Sequence, residues 1–124
     1  MRKNTSSIGN LAENFAVQEL SKLNYQVITR NYHCPYGEID IIAQDKDTLV
    51  FVEVKARSSA IFGSPLEAVN ISKISKISQT GEHFINNYKG TLPIKNRIDV
   101  FAVYITNFNQ YTYQLFSNVN QYIT

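Results

Sequence analysis

A chain of 124 residues with a formal charge of +2 has the size of a single domain, here taken over residues 1–124. Its 44% hydrophobic and 18% charged residues supply a real core and exclude a disordered chain. The weak basic balance, with a sequence pI near 8.7, excludes a strongly basic nucleic-acid coat, so any phosphate-binding argument rests on where the charges sit.

Cys34 is the single cysteine, which rules out an intrachain disulfide and a multi-cysteine zinc site and fits a reduced, cytoplasmic compartment. No apolar run follows Arg2-Lys3, so a signal peptide is not expected, and no stretch approaches the length of a membrane span. A soluble protein is the expectation.

From Ser7 to Leu23, the residues Ile8, Leu11, Ala12, Phe15, Ala16, Leu20 and Leu23 recur at helical spacing, and Asn24 is a residue that tolerates the left-handed closing position. Tyr25 to Ile28 predicts a short strand, with a polar loop through Cys34-Pro35-Tyr36-Gly37. Glu38–Ala43 and Leu49–Ala56 predict two more strands around a turn at Asp45–Thr48. Ser64, Pro65 and Glu67 form a capping-box pattern for a second helix, with Leu66, Ile74, Ile77, Phe84, Ile85 and Tyr88 on its buried face and Gly81 as a weak point. Ile98–Ile105 and Tyr111–Phe116 predict the last strands. This order predicts an α/β fold, a mixed sheet flanked by helices.

Strand parity sorts the two middle strands. Ile39, Ile41 and Ala43 share one face, with Glu38, Asp40 and Ile42 on the other; Val50, Val52 and Val54 oppose Phe51, Glu53, Lys55 and Arg57. An antiparallel hairpin that pairs Gln44 with Leu49 brings Asp40 opposite Glu53 and Glu38 opposite Lys55. Opposed Cβ atoms lie roughly 5 Å apart, where two ionised carboxylates repel by about 3 kcal/mol at an effective dielectric near 20. A cation in the gap, or a proton on one carboxyl, removes that repulsion. Hard cations such as Mg²⁺ or Mn²⁺ take carboxylate and carbonyl oxygens, which Asp40, Glu53 and the Val54 carbonyl can offer. Lys55, on the face of Glu53, can orient a water or stabilise charge on a phosphate. The competing reading is a solvated sheet face with Glu38–Lys55 as an ordinary ion pair.

The runs Gly37-Glu38-Ile39-Asp40-Ile41-Ile42-Ala43 and Leu49-Val50-Phe51-Val52-Glu53-Val54-Lys55-Ala56-Arg57 resemble the bacterial YraN-like family. That family belongs to the restriction-endonuclease-like (PD-(D/E)xK) superfamily and is similar to archaeal Holliday-junction resolvases. The resemblance extends to Gly9 and Glu13, Asn24-Tyr25, Arg30-Asn31, Phe62-Gly63-Ser64-Pro65-Leu66-Glu67-Ala68-Val69 and Arg97-Ile98-Asp99-Val100. It implies a restriction-endonuclease-like fold, catalytic and metal-binding roles for Asp40, Glu53 and Lys55, and a supporting role at the metal site for the acidic Glu13. Ile39 departs from the proline common in restriction-type motifs, Ala12 from a common glycine, and Glu19 from a common aromatic.

The implied activity is metal-dependent hydrolysis of DNA phosphodiesters, with branched DNA and a homodimer expected by analogy with the resolvases. Arg57, Lys73, Lys76 and Arg30 are the candidate phosphate contacts, although the two lysines also fit a solvated helix face. His33 and His83 have no metal-ligand spacing and are assigned to the surface. Glu19 pairs with a basic side chain or marks a partner surface. Asp99, which follows Arg97-Ile98 at a strand start, is expected in a structural ion pair rather than as a ligand. The rival readings are a non-catalytic nucleic-acid-binding module and a protein-interaction scaffold.

Overall fold

The computed structural model of the protein describes residues 7–58, 70–106 and 110–122. The elements run α1 (Ser7–Lys22), β1 (Gln26–Cys34), β2 (Gly37–Asp45), β3 (Thr48–Ser58), α2 (Ile71–Asn87), β4 (Lys95–Ile105), β5 (Tyr111–Phe116) and a short 3₁₀ turn at Val119–Tyr122. The five strands form one sheet in the order β1-β2-β3-β4-β5. Only β3 and β4 are parallel, and α2 lies in the crossover between them. This mixed sheet with two flanking helices has the restriction-endonuclease-like α/β architecture.

Each helix covers one face. Ala12, Ala16 and Leu20 of α1 pack with Ile41, Ala43, Val50, Val52, Phe101 and Val103. Ile74, Ile77 and Phe84 of α2 pack with Ile39, Ile42, Leu49, Phe51 and Ile98. The expected helix-end signal at Asn24 is present: its φ is 69°, the Tyr25 N–H reaches Leu20 O at 3.0 Å, and the Asn24 N–H reaches Ser21 O at 3.0 Å. These two bonds satisfy carbonyls that the helix itself leaves open.

Several expectations are corrected. The first strand is not a short Tyr25–Ile28 segment: β1 runs on through the predicted loop, so Arg30 and His33 are strand residues. The β2–β3 turn is tighter than Asp45–Thr48, since those two residues pair and leave only Lys46-Asp47 between them, with Lys46 at φ 56°. The helix carrying Ile74 and Phe84 begins at Ile71. Its cap is Asn70, extended in backbone, whose side chain accepts the Lys73 N–H at 3.1 Å. The predicted start at Ser64-Pro65-Leu66-Glu67 lies outside the described residues. Tyr88 is not a buried-face residue but the C-terminal cap, and it is largely exposed. Gly81 does not end α2 early, since the helix runs through it to Asn87. It lies where a Cβ would come within 2.5 Å of the Phe51 ring, so its missing side chain lets helix and sheet approach.

Candidate functional site

The hairpin register is the one expected: Gln44 pairs with Leu49, Ala43 with Val50, Ile42 with Phe51 and Ile41 with Val52. The ladder then stops. One step further along, where Asp40 and Glu53 would be opposed, the strands diverge and the Asp40 carboxylate accepts the Val54 N–H at 2.8 Å. The N–H and C=O of one strand residue point to the same edge. The Val54 carbonyl therefore faces the same gap as the two carboxylates.

Strand alternation breaks at one position here. Ile39 packs on the α2 side with Ile42, whereas Ile41 packs on the α1 side. The alternation slips at Asp40, beside Asn31 of β1, which has φ 55° and no ladder partner opposite Asp40. The Glu38–Lys55 pair does not form either. Glu38 lies 3.6 Å from His33, and Lys55 Nζ lies 3.7 Å from Glu53 Oε2.

Glu53 is buried, and a second cation reaches it: Lys73 Nζ of α2 is also 3.7 Å from Oε2. Burial, the Glu53 charge and the smaller effects of the Glu13 and Glu38 charges push the Asp40 carboxyl up to about 7, against the lowering effect of the Val54 N–H. Two acids in one partly buried gap are thus in direct electrostatic conflict. The donor set is two carboxylates and a carbonyl, all hard oxygens, and it fits a small divalent cation. Among the described residues, no group of three or more His, Cys, Asp or Glu side chains is placed to hold a metal ion.

Glu13 is buried on α1, and its Oε1 accepts from Arg30 Nη2 at 3.1 Å and from Asn31 Nδ2 at 3.0 Å. Arg30 also donates to Asn14 Oδ1 at 2.8 Å, so its guanidinium is engaged with α1. Arg57 is exposed near the end of β3, and Lys76 is exposed on α2. The Lys73–Glu53 contact was missed in the sequence because it depends on how α2 docks. His83 is not a free surface residue: it is half-buried and hydrogen-bonded to the Tyr32 hydroxyl. Of the two readings left open for Glu19, the basic partner is present: Lys22, at 2.9 Å.

A roomier cavity of about 480 Å³ lies between Gln44, Asp47 and the Thr91–Lys95 segment. It sits at the hairpin-turn end of β2 and β3, away from Asp40 and Glu53, and contains no comparable acid pair.

Fold and site together define an α/β protein of restriction-endonuclease-like architecture, with an acid pair and a Glu-x-Lys strand at the diverging end of its central hairpin. Residues 12–103 match the model of the uncharacterised protein family UPF0102, and the chain belongs to that family. It is 40% identical over 110 residues to a UPF0102 protein of Caldicellulosiruptor saccharolyticus, covering 86% of this chain and 90% of the relative. A UPF0102 protein of Caldanaerobacter subterraneus is 41% identical over 104 residues, covering 82% and 83%. One of Clostridium botulinum is 39% identical over 115 residues, covering 92% and 94%. Among the described residues, no helix is long and apolar enough to cross a membrane.

Proposed function

We propose that this protein is a Mg²⁺- or Mn²⁺-dependent nuclease that hydrolyses DNA phosphodiester bonds. The observation that carries the reading is the placement of Asp40 and Glu53 in one gap with the Val54 backbone. Asp40, Glu53 and the Val54 carbonyl would hold the cation. Such an ion lowers the pKa of a bound water and polarises a phosphoryl oxygen. Lys55 lies beside Glu53, where its ammonium can orient the attacking water and stabilise the negative charge that builds on the phosphate. Lys73 adds a second positive charge on the same side. Attack by water forms one P–O bond and breaks another; the water gives up a proton to solvent, and the departing oxygen takes one from solvent. Structured or branched DNA as the preferred substrate, and a homodimer acting on two strands, rest on the likeness to the resolvases.

One observation favours a second reading, a nucleic-acid-binding module without turnover. Lys55 and Lys73 both approach Glu53 and offset its charge without a metal. Cleavage of labelled linear, flapped and four-way DNA in Mg²⁺ or Mn²⁺, beside Asp40→Ala and Lys55→Ala, separates the two. Wild-type cleavage that both variants lose supports the nuclease. Metal-independent binding with no cleavage supports the module, and cleavage undiminished in both variants removes the assigned site.

A further inference from the structure

Two walls lead away from the acid pair on the α2 side of the sheet. On α2, Lys73 contacts Glu53, and Lys76, Gln79, His83 and Asn86 follow at three- and four-residue spacing, which lines them along one side of the helix. On β2, Asp40 leads back to Gly37, whose Cα lies so close to α2 that a Cβ would come 3.3 Å from Thr80 Oγ1. The walls end at a cavity of about 310 Å³ lined by Tyr36, Gln79, Glu82, His83, Asn86 and Asn87. Lys73 and His83 are ten residues apart on α2, about 15 Å at ~1.5 Å per residue.

We propose that this cavity is a base-binding subsite, taking one unpaired nucleobase from the strand whose backbone lies at Asp40 and Glu53. The identity of that strand rests on the nuclease reading; the chemistry of the cavity does not. Tyr36 is 56% exposed at the cavity rim, and its ring meets His83 at 6.2 Å and 65°. An exposed aromatic ring of this kind is a stacking platform for any base. The His83 ring is held in advance, since Nδ1 bonds the Tyr32 hydroxyl and Tyr32 packs edge-on against Phe84. Gln79, Asn86 and Asn87 supply amide groups, which can both donate to and accept from a base edge.

Charge separates base from backbone. Glu82 lines the cavity and disfavours a phosphate there, whereas Lys73 and Lys76 lie between the cavity and the acid pair and favour one. At about 3.4 Å per base step of a duplex, 15 Å spans roughly four steps. A base stacked within a duplex cannot turn into such a cavity without unpairing. The substrate class is therefore DNA with a short unpaired segment a few nucleotides from the scissile phosphate.

The test is an abasic scan. Full-length wild-type and Asp40→Asn proteins are titrated, with Ca²⁺ and with EDTA, against fluorescent duplexes carrying a single-stranded extension in which each base in turn is removed. The expected result is one position, a few nucleotides from the junction, where loss of the base lowers affinity about 5–150-fold, the range of one base–aromatic stack. Tyr36→Ala should bind the intact DNA at that lowered level and ignore the abasic site, Asn86→Ala should lose a smaller part of the affinity and keep some of the discrimination, and Tyr36→Phe should keep the discrimination. A flat scan, or Tyr36→Ala indistinguishable from wild type, overturns the subsite. If DNA is cut but the scan is flat, the subsite fails and the nuclease stands. If the scan shows the position but no metal supports cleavage, the nuclease fails and the subsite stands. No binding of any of these DNAs overturns both.

Discussion

The Asp40 carboxylate stands in for a strand partner of Val54, accepting its N–H at 2.8 Å just past the point where β2 and β3 stop pairing. The bond closes a sheet opening that would otherwise leave a backbone donor unsatisfied. It also fixes an acid beside Glu53, whose charge opposes ionisation of Asp40. One residue therefore completes the ladder and strains the electrostatics.

This conflict has a pH signature. The Asp40 carboxyl titrates at about 7 in the fold and near 3.9 in an unfolded chain. Between those values the folded state keeps a proton that the unfolded state has lost, so stability is full below about pH 4 and falls as pH rises toward 7. The metal-free protein should lose on the order of 2–4 kcal/mol from this group between pH 4 and pH 8. Asp40→Asn, which keeps an oxygen for the Val54 N–H, should lack that component. Urea unfolding in EDTA across this range checks it; parallel pH profiles for the two proteins would sink the assignment.

Metal addition should act in the opposite sense. Protons and a divalent cation compete for the same oxygens, so binding strengthens as pH rises through 7. At pH 8, Mg²⁺ at about 100 times its dissociation constant should add about 2.7 kcal/mol to wild-type stability. The gain should vanish in Asp40→Asn and Glu53→Gln and shrink at pH 5. Thermal melts with and without EDTA read this directly, independently of any cleavage.

The two lysines should separate in cleavage assays. Lys55 shares the strand of Glu53 and is mostly buried, whereas Lys73 reaches Glu53 from α2 with a side chain 44% exposed. Removing a positioned charge-stabilising donor typically lowers kcat about 10²–10³-fold. Lys55→Ala should show a loss of that size, and Lys73→Ala a smaller one, about 10-fold or less, with a steeper response to salt. Equal effects of the two substitutions would contradict their assignment to different roles.

Much of this site was legible in the sequence because it lies in a two-residue hairpin, where loop length fixes register and register fixes which residues are opposed. Gln44 pairing with Leu49 carried Asp40 to Glu53 with no tertiary information. The end of the ladder was not legible. The slip at Asp40 that sends Ile39 to the α2 face, and the failure of Glu38 to meet Lys55, follow from divergence of the strands beside Asn31. The Lys73–Glu53 contact depends on how a separate helix docks, which periodicity does not report. The extent of β1 was hidden by its polar residues, since Thr29, Arg30 and His33 read as loop although they pair with β2.

The ion pair expected at Asp99 is part of a larger buried network. Fully buried Asp99 accepts from Arg97 Nε at 3.0 Å, the Tyr25 hydroxyl at 3.0 Å, the Ser117 hydroxyl at 3.2 Å and the Asn118 N–H at 2.9 Å. Arg97 also reaches Asp45 at 2.9 Å. Burial lowers the Arg97 pKa, but its bonds to Asp99 and Asp45 outweigh that and raise it overall. The network ties the end of α1 and the segment after β5 to β4. Asp99→Ala leaves Arg97 with Asp45 alone and strands the Tyr25, Ser117 and Asn118 donors, and should destabilise the fold by about 3–5 kcal/mol. Arg97→Ala leaves a buried carboxylate with hydroxyl and amide donors and should cost less. Chemical unfolding of the two variants checks the order.

Gly81 offers a test of helix docking that leaves the acids untouched. Its Cβ position falls 2.5 Å from one Phe51 ring carbon and 2.6 Å from another, too close for any real side chain. Phe51 is buried in the cluster that α2 forms with the sheet, so its ring must repack for the added methyl to fit. Ala gains a few tenths to 1 kcal/mol over Gly in helix propensity, but overpacking of this kind typically costs about 1–3 kcal/mol. Gly81→Ala should therefore destabilise the protein. The clash predicts its own suppressor: Phe51→Leu loses packing by itself, yet in the double variant the added methyl should occupy space that the ring vacated. The two substitutions should cost less together than the sum of their separate effects, by more than the roughly 0.5 kcal/mol expected of independent sites. Strict additivity would mean that α2 does not rest on Phe51 through Gly81.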